Sequence, residues 1–277
     1  MSKTRDLVKL AVDYSEGGAI AAARLLGLTK YRFPRNSYIR KTGGKSALEY
    51  YYSGIRTYLP IVTMAHAHGI ELNDPVHVLD FGAGVGRQLL HFTKYFPNGH
   101  YSACDVDADA IAYLKQTFLS VDAYVSNFNP PLKYSSGSID LVYTVSTFSH
   151  FSPSDHLPWL QEFARILRPG GLAMITTEGE TAMRVDREQF TEEFRAELAQ
   201  NGVAYREYAW LGNARAKQPL AGVANSAKGL TGSYGATLVA RGYMEGLAQK
   251  AGFDIAAFAS GVIDHRQDLF VLRRREG

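Results

Sequence analysis

Val78-Leu79-Asp80-Phe81-Gly82-Ala83-Gly84-Val85-Gly86-Arg87 decides the fold. A short apolar run ends in an acid and three glycines at alternate positions, and amphipathic sequence follows. The stretch therefore reads as a strand, a tight turn and the start of a helix. A side chain at Gly82, Gly84 or Gly86 would keep a ligand off the backbone, and a helix start behind the turn would present free N–H groups. The spacing is Gly-x-Gly-x-Gly, not the Gly-x-Gly-x-x-Gly that grips a dinucleotide pyrophosphate, and Asp80 would repel such an anion. An acid beside the turn suits a cationic ligand.

From this turn onward, strand and helix patterns alternate, which argues for a parallel sheet with helices on both faces. Strands are expected at residues 76–80, 101–105, 123–126, 139–145 and 172–177, and helices at 86–96, 108–119 and 155–167. The run 139–145 is apolar on both faces, as a central parallel strand should be. Arg168-Pro169-Gly170-Gly171 stops the third helix, because proline cannot continue it and glycine supplies the turn. Residues 253–258 and 268–272 read as two strands joined by a short loop, hence antiparallel neighbours. Residues 1–75 and 180–240 stand outside the alternation. The second of these holds a charged helix at 187–200 and a Gly/Ala/Ser-rich stretch at 212–235, and a loop that long inside a compact domain is usually functional or disordered.

With 277 residues, 46% hydrophobic and 21% charged, the chain can bury one full core plus an appendage. No run approaches about 18 consecutive apolar residues, and the polar start is no secretory signal, so a cytoplasmic protein that spans no membrane is expected. The single cysteine, Cys104, excludes an internal disulfide and reads as a packing residue at the end of a buried strand. The net charge of +3 is unevenly spread. Residues 17–48 carry seven cations and no acid, residues 208–244 carry four and no acid, and the rest of the chain is left at −8. The functional reading of these segments is an anionic substrate or a nucleic acid; the plainer one is two solvated surfaces.

Asp105 closes the second strand 19 residues after Gly86. In a doubly wound sheet that position points at the ribose of an adenosine bound across the switch point, and a carboxylate can accept from both hydroxyls. Asp107 or Asp109 reads as the cap of the next helix. Asp80 with its glycines, Ile139-Asp140-Leu141-Val142 and Ile166-Leu167-Arg168-Pro169-Gly170-Gly171 together resemble the class I S-adenosylmethionine (SAM) dependent methyltransferases over about residues 76–178. The segment His265-Arg266-Gln267-Asp268-Leu269 resembles members that methylate small molecules or sugars. The resemblance implies an α/β fold, a doubly wound Rossmann-like sheet of seven strands in the order 3-2-1-4-5-7-6, with strand 7 antiparallel. It also implies SAM as cofactor, held by Asp80, Phe81, Gly82, Ala83, Gly84 and Arg87 around the turn, Asp105 and Val106 after the second strand, Asn127 and Phe128 after the third, and Ser146 after the fourth. Asn127 stands where the family often places an acid near the adenine. Asn129-Pro130-Pro131-Leu132 resembles the Asn-Pro-Pro-Tyr motif of amino-methylating enzymes. It precedes the fourth strand instead of following it and lacks the aromatic, which speaks against adenine N6 methylation. Residues 1–75 are expected to form a helical cap and 76–277 the SAM-binding domain, with the insertion 180–240 as a substrate lid.

Methyl transfer from a sulfonium is an in-line displacement, so the protein mainly positions and desolvates. A hydroxyl acceptor also needs its proton removed. The candidate bases stand at carboxyl ends of strands: His150 after the fourth, Glu178 after the fifth and His265 between the last two. Their structural alternatives are a helix cap for His150, an ion pair with Arg184 for Glu178 and a solvated loop for His265. The remaining histidines scatter over helices and the far edge, so no metal site is expected. At least two of Tyr50, Tyr51 and Tyr52 are expected in the core, with Arg56 set to meet an anion. The resulting expectation is a SAM-dependent methyltransferase acting on a small-molecule acceptor, of anionic character, at oxygen. The alternatives are an RNA methyltransferase using the basic segments, with Tyr31, Phe33 and Tyr38 stacking on bases, and a non-catalytic SAM-fold module. The intact Asp80, glycine turn and Asp105 argue against the last.

Overall fold

The structure, a computed structural model, describes residues 33–34, 38–39, 46–186, 190–207 and 234–276. The basic segment 17–48 lies almost wholly outside these residues, as does the stretch 208–233 with its glycines and Arg215, Lys217 and Lys228 of the expected lid.

Among the described residues one sheet contains β1 (His77–Phe81), β2 (His100–Asp105), β3 (Val121–Val125), β4 (Ile139–Thr144), β5 (Leu167–Glu178), β6 (Val203–Glu207), β7 (Gly235–Val239), β8 (Phe253–Ile263) and β9 (Gln267–Arg274). β3, β2, β1, β4 and β5 run parallel in that order. β9 then lies antiparallel to β5 along Leu172–Glu178, and β8 pairs antiparallel with β9. Numbering the C-terminal pair as strands 6 and 7 gives the order 3-2-1-4-5-7-6 with strand 7 antiparallel. β6 and β7 form an additional antiparallel pair that the sequence reading did not contain. β7 meets β5 in parallel at Glu178↔Leu238. Because β9 holds the other side of β5 through Glu178, β7 occupies the space beyond the end of β4.

The helices are α1 (Ala47–Ala67), α2 (Leu89–Tyr95), α3 (Ala108–Thr117), α4 (Pro153–Ile166), α5 (Glu180–Val185), α6 (Glu192–Asn201) and α7 (Arg241–Lys250). Two-residue periodicity sorts the central strands between two cores. Val78, Leu141, Tyr143, Leu172 and Met174 pack with α1, α2 and α3, whereas Leu79, Val142, Ala173 and Ile175 pack with α4 and α7. A third, smaller cluster joins Ala182, Phe190, Phe194 and Leu198 to Ala204 and Leu238 of the additional strands. None of the described helices is long and apolar enough to cross a membrane.

Local chemistry sets the element ends. Ser46 accepts the Glu49 N–H at the start of α1, Asp107 accepts from Asp109 and Ala110 at the start of α3, and Thr191 accepts from Phe194 at the start of α6. The charged helix expected at 187–200 is α6, which starts later, at Glu192 behind the Thr191 cap, and ends at Asn201; α5 is a separate short helix before it. Arg168-Pro169-Gly170-Gly171 is absorbed into β5: between the pairs Ile139↔Leu167 and Leu141↔Leu172 the ladder slips and the turn bulges out.

Candidate active site

All the carboxyl ends of the parallel strands open on one edge, and the residues singled out above gather there. After Phe81 the chain bends toward β2: the Gly82 and Ala83 N–H groups both donate to the Cys104 carbonyl (2.9 and 3.0 Å). The Gly84 N–H donates to Asp105 Oδ2 and the Asp107 N–H to Asp105 Oδ1, each at 2.8 Å. Asp105 thus ties the turn to the end of β2 and keeps two lone-pair positions for a ligand. Burial holds its carboxyl above the usual range, and these N–H bonds pull it back.

Two expectations about the turn need correction. Its backbone does adopt positive φ at Gly82, Gly84 and Gly86. However, a Cβ at Gly82 would strike Thr147 Oγ1 from beyond β4, and one at Gly86 would lie 2.7 Å from Leu114 on α3. Protein neighbours, not a ligand, exclude side chains at those two positions. Nor does a helix begin at Gly86: its N–H donates to the Ala83 carbonyl (2.9 Å), and α2 starts only at Leu89.

α1 clamps the turn from the outside. The Tyr50 hydroxyl donates to the Val85 carbonyl (2.8 Å), Gln88 Nε2 to Thr57 Oγ1 (2.8 Å) and Arg87 to Ser53 Oγ (3.2 Å). Such close approach requires Gly54, where a Cβ would lie 2.6 Å from the Arg87 carbonyl oxygen. Of the three tyrosines, Tyr50 is buried, Tyr51 is half-buried against the core and Tyr52 is exposed. Arg56 meets two acids of this chain, Asp264 (2.6 Å) and Glu49 (3.0 Å), so it is not waiting for a ligand anion.

Asp80 lies on the α1–α2 face of β1 with 2% exposure, and its Oδ2 has no hydrogen-bond partner among the described residues. Burial pushes its carboxyl up to about 7, with Asp105 adding to the rise and Tyr143 and Arg87 opposing it. A buried carboxylate oxygen without a donor is expensive unless a cation meets it.

Beyond β4, Ser146 takes a left-handed conformation (φ 62°) within a side-chain network. Its N–H donates to Thr176 Oγ1 (2.8 Å), Thr176 donates on to Gln267 Oε1 (2.7 Å), and Gln267 Nε2 donates to Ser146 Oγ (2.7 Å). His150 follows and caps no helix; the residue before α4 is Ser152. His150 Nδ1 lies 3.1 Å from the Gly235 carbonyl of β7. A carbonyl can only accept, so Nδ1 carries the proton and Nε2 the lone pair in the neutral ring. Burial pushes the imidazole below its ordinary 6.5, with the Gly235 bond and Glu178 opposing that fall. β7 is fastened to this segment by the Gly235 and Thr237 N–H groups, which donate to the carbonyls of His150 and Ser149. Its neighbour Tyr234 sets its ring 5.2 Å from that of His150. Burial, and then the Asp105 charge, hold the Tyr234 phenol above its usual range.

The other candidates are arranged differently. Glu178 forms a two-bond pair with Arg266 (both 2.9 Å), not with Arg184, and Arg266 also pairs with Asp186. His265 is exposed at the β8–β9 turn with φ 57°. Val106 and Asn127 are exposed at the rim, while Phe128 packs edge-on to Phe151 at 5.6 Å. No group of three metal-ligating side chains occurs among the described residues. Sequence reasoning missed Tyr143, Gln267 and Tyr234. Only Tyr143 carried a signal: it has the parity of Asp80 once β1 and β4 are placed side by side.

Residues 78–171 match a family model described as a methyltransferase domain. A solved protein from Pyrococcus horikoshii OT3 is 16% identical, over 81% of this chain and 91% of its own, with a TM-score of 0.56. A SAM-dependent methyltransferase from Methanosarcina mazei is 14% identical over 77% and 98%, with a TM-score of 0.55. The Burkholderia thailandensis 1,6-didemethyltoxoflavin-N1-methyltransferase, solved with 1,6-didemethyltoxoflavin and S-adenosylhomocysteine bound, is 14% identical over 87% and 88%, with a TM-score of 0.52. These structures share the fold. Residues 78–171, which hold Asp80, the glycine turn and Asp105, thus match a methyltransferase domain, and the chain as a whole shares the fold of these proteins.

Proposed function

We propose that the acceptor is a small molecule methylated at oxygen, and that His150 takes its proton. SAM, when bound, supplies an electrophilic methyl group on a sulfonium. The residues present fit its two ends. Asp80 offers an unpartnered buried carboxylate oxygen to the cationic amino-acid end, and Asp105 keeps lone pairs for ribose hydroxyls. Phe81, Gly82, Ala83, Gly84 and Arg87 flank the first end. Val106, Asn127 and the half-buried Phe128 flank the adenosine end, and Ser146 stands between cofactor and acceptor.

The observation that carries the reading is the His150 tautomer. The Gly235 carbonyl fixes the proton on Nδ1, which makes Nε2 the basic nitrogen of a half-buried, neutral ring at the carboxyl edge. Glu178 suits a base less well, since its charge is committed to Arg266. His265 is exposed at a turn tip and lacks the desolvation that tunes a base. Tyr234, within the insertion and just before β7, sets its ring against His150, which supports the insertion as an acceptor-side element. The 1,6-didemethyltoxoflavin bound by the structurally similar Burkholderia protein supports a small molecule here, not the choice of oxygen.

The test starts from labelled-methyl transfer out of SAM onto a panel of small hydroxyl compounds. With a hydroxyl acceptor, His150→Ala should lower kcat by about 10²-fold or more while S-adenosylhomocysteine affinity stays within a few-fold. Because the neutral ring is the base and its pKa lies below 6.5, wild-type kcat/KM should begin to fall only as the pH drops below 6.5. Near-wild-type turnover with an unchanged pH profile in His150→Ala would refute the assignment.

A further inference from the structure

Asp80 and Tyr143 are register partners on the parallel strands β1 and β4. Their side chains therefore leave the same face of the sheet from backbones about 4.8 Å apart. Both residues are buried, and Tyr143 Oη, like Asp80 Oδ2, lacks a hydrogen-bond partner among the described residues. The Tyr143 ring is fixed by stacking on Phe92 of α2, with centroids 5.0 Å apart and planes 16° from parallel. Packing alone would be served as well by phenylalanine, without the burden of a buried unpaired hydroxyl.

The other groups facing Asp80 have other duties. The Tyr50 hydroxyl on α1 already donates to the Val85 carbonyl, and the Arg87 guanidinium at the turn donates to Ser53. Cys104 on β2 packs in the core on the opposite face of the sheet, and Asp105 at the end of β2 is a like charge. The terminal torsion of an aspartate is soft, so a small rotation of the carboxylate brings an oxygen to the phenol.

We propose that Tyr143 is a positioning residue: its O–H donates to Asp80, holding that carboxylate ionised and aimed at the cationic end of SAM. The proposal rests on the reading of Asp80 as the partner of that end. It places the pH dependence of cofactor binding in a pair of strand neighbours that the domain match does not single out.

Calorimetric titration with S-adenosylhomocysteine, which carries the same amino-acid end as SAM, tests it between pH 6 and 8.5. Wild-type affinity should fall as the pH drops through about 7, where Asp80 takes up a proton. Loss of one hydrogen bond to the charged form should move that fall upward by about one pH unit in Tyr143→Phe. The variant should then bind about fivefold more weakly at pH 7 and approach the wild type at pH 8.5. A Tyr143→Phe protein whose affinity falls at the wild-type pH, whatever its overall strength, would overturn the proposal and leave the phenol as packing. Asp80→Asn should bind weakly and without this pH dependence. Wild-type affinity in Asp80→Asn would overturn the reading of Asp80 itself, a failure distinguishable from that of Tyr143.

Discussion

Asp105 serves the turn as well as the ligand, and replacing it should reveal both roles at once. Its two oxygens accept one N–H each, from Gly84 and Asp107, both at 2.8 Å. Asparagine offers one acceptor oxygen and one NH₂ group. In either orientation of the amide, one of those backbone N–H groups faces another donor. A hydrogen bond to a charged group contributes about 1.5–3 kcal/mol net, so Asp105→Asn should cost roughly that much stability. For a domain of this size that is a fall in Tm of about 5–10 °C. Asp105→Ala removes both acceptors and should fall further. Because the same carboxylate is proposed to receive the ribose hydroxyls, S-adenosylhomocysteine affinity should drop about 10- to 100-fold in both variants. Thermal melting and calorimetry on the same preparations read the two effects. A wild-type Tm would refute the tether between turn and β2, and affinity within twofold of wild type would refute the ribose contact.

Other residues give independent checks. Gln267→Leu strips Ser146 Oγ of its donor and Thr176 of its acceptor. It should cost about 1–3 kcal/mol in urea unfolding and raise the KM for SAM a few-fold, and combining it with Thr176→Val should cost less than the sum of the two. His156 is fully buried; its Nε2–H donates to the Phe148 carbonyl, and burial lowers its pKa from 6.5 to about 4. Between these values the unfolded chain binds a proton that the native state refuses, so stability falls as the pH drops from 6.5 toward 4. The fall attributable to this residue is about 3 kcal/mol, and it should be absent in His156→Phe when the two unfolding free energies are compared across that range.

What the sequence made legible was local. The strand periodicity around Val78, Leu141 and Leu172, the Asp107 cap and the spacing from Gly86 to Asp105 depend on neighbours a few residues away or on one βαβ repeat. What it hid depends on long-range pairing. Gln267 reaches Ser146 across 121 residues, Arg266 reaches Glu178 across 88, and the Gly235 carbonyl reaches His150 across 85. β6 and β7 are short, touch the main sheet through one pair, and carry no strong alternation to announce them. The glycine turn was read at the right residues for an incomplete reason: Gly82 and Gly86 are demanded by Thr147 and Leu114, which approach from other elements.

The rim of the site is held unevenly, and the kind of bond at each point says where it can open. α1 is fixed to the turn by the buried Tyr50–Val85 and Gln88–Thr57 bonds, and Gly54 lets the backbones meet. Each such bond contributes about 1 kcal/mol, and none can be exchanged for water without moving the helix. β7 is likewise held by backbone bonds to Ser149 and His150. The β8–β9 tip instead reaches α1 through the ion pair of Arg56 with Asp264, whose side chains are 47% and 38% exposed. Pairs of that exposure contribute about 0–1 kcal/mol and weaken with salt. The seam between α1 and the hairpin tip is therefore the weakest part of the described rim. Raising the salt concentration should loosen that pair first, while the hydrogen bonds that hold the glycine turn and orient His150 stay intact.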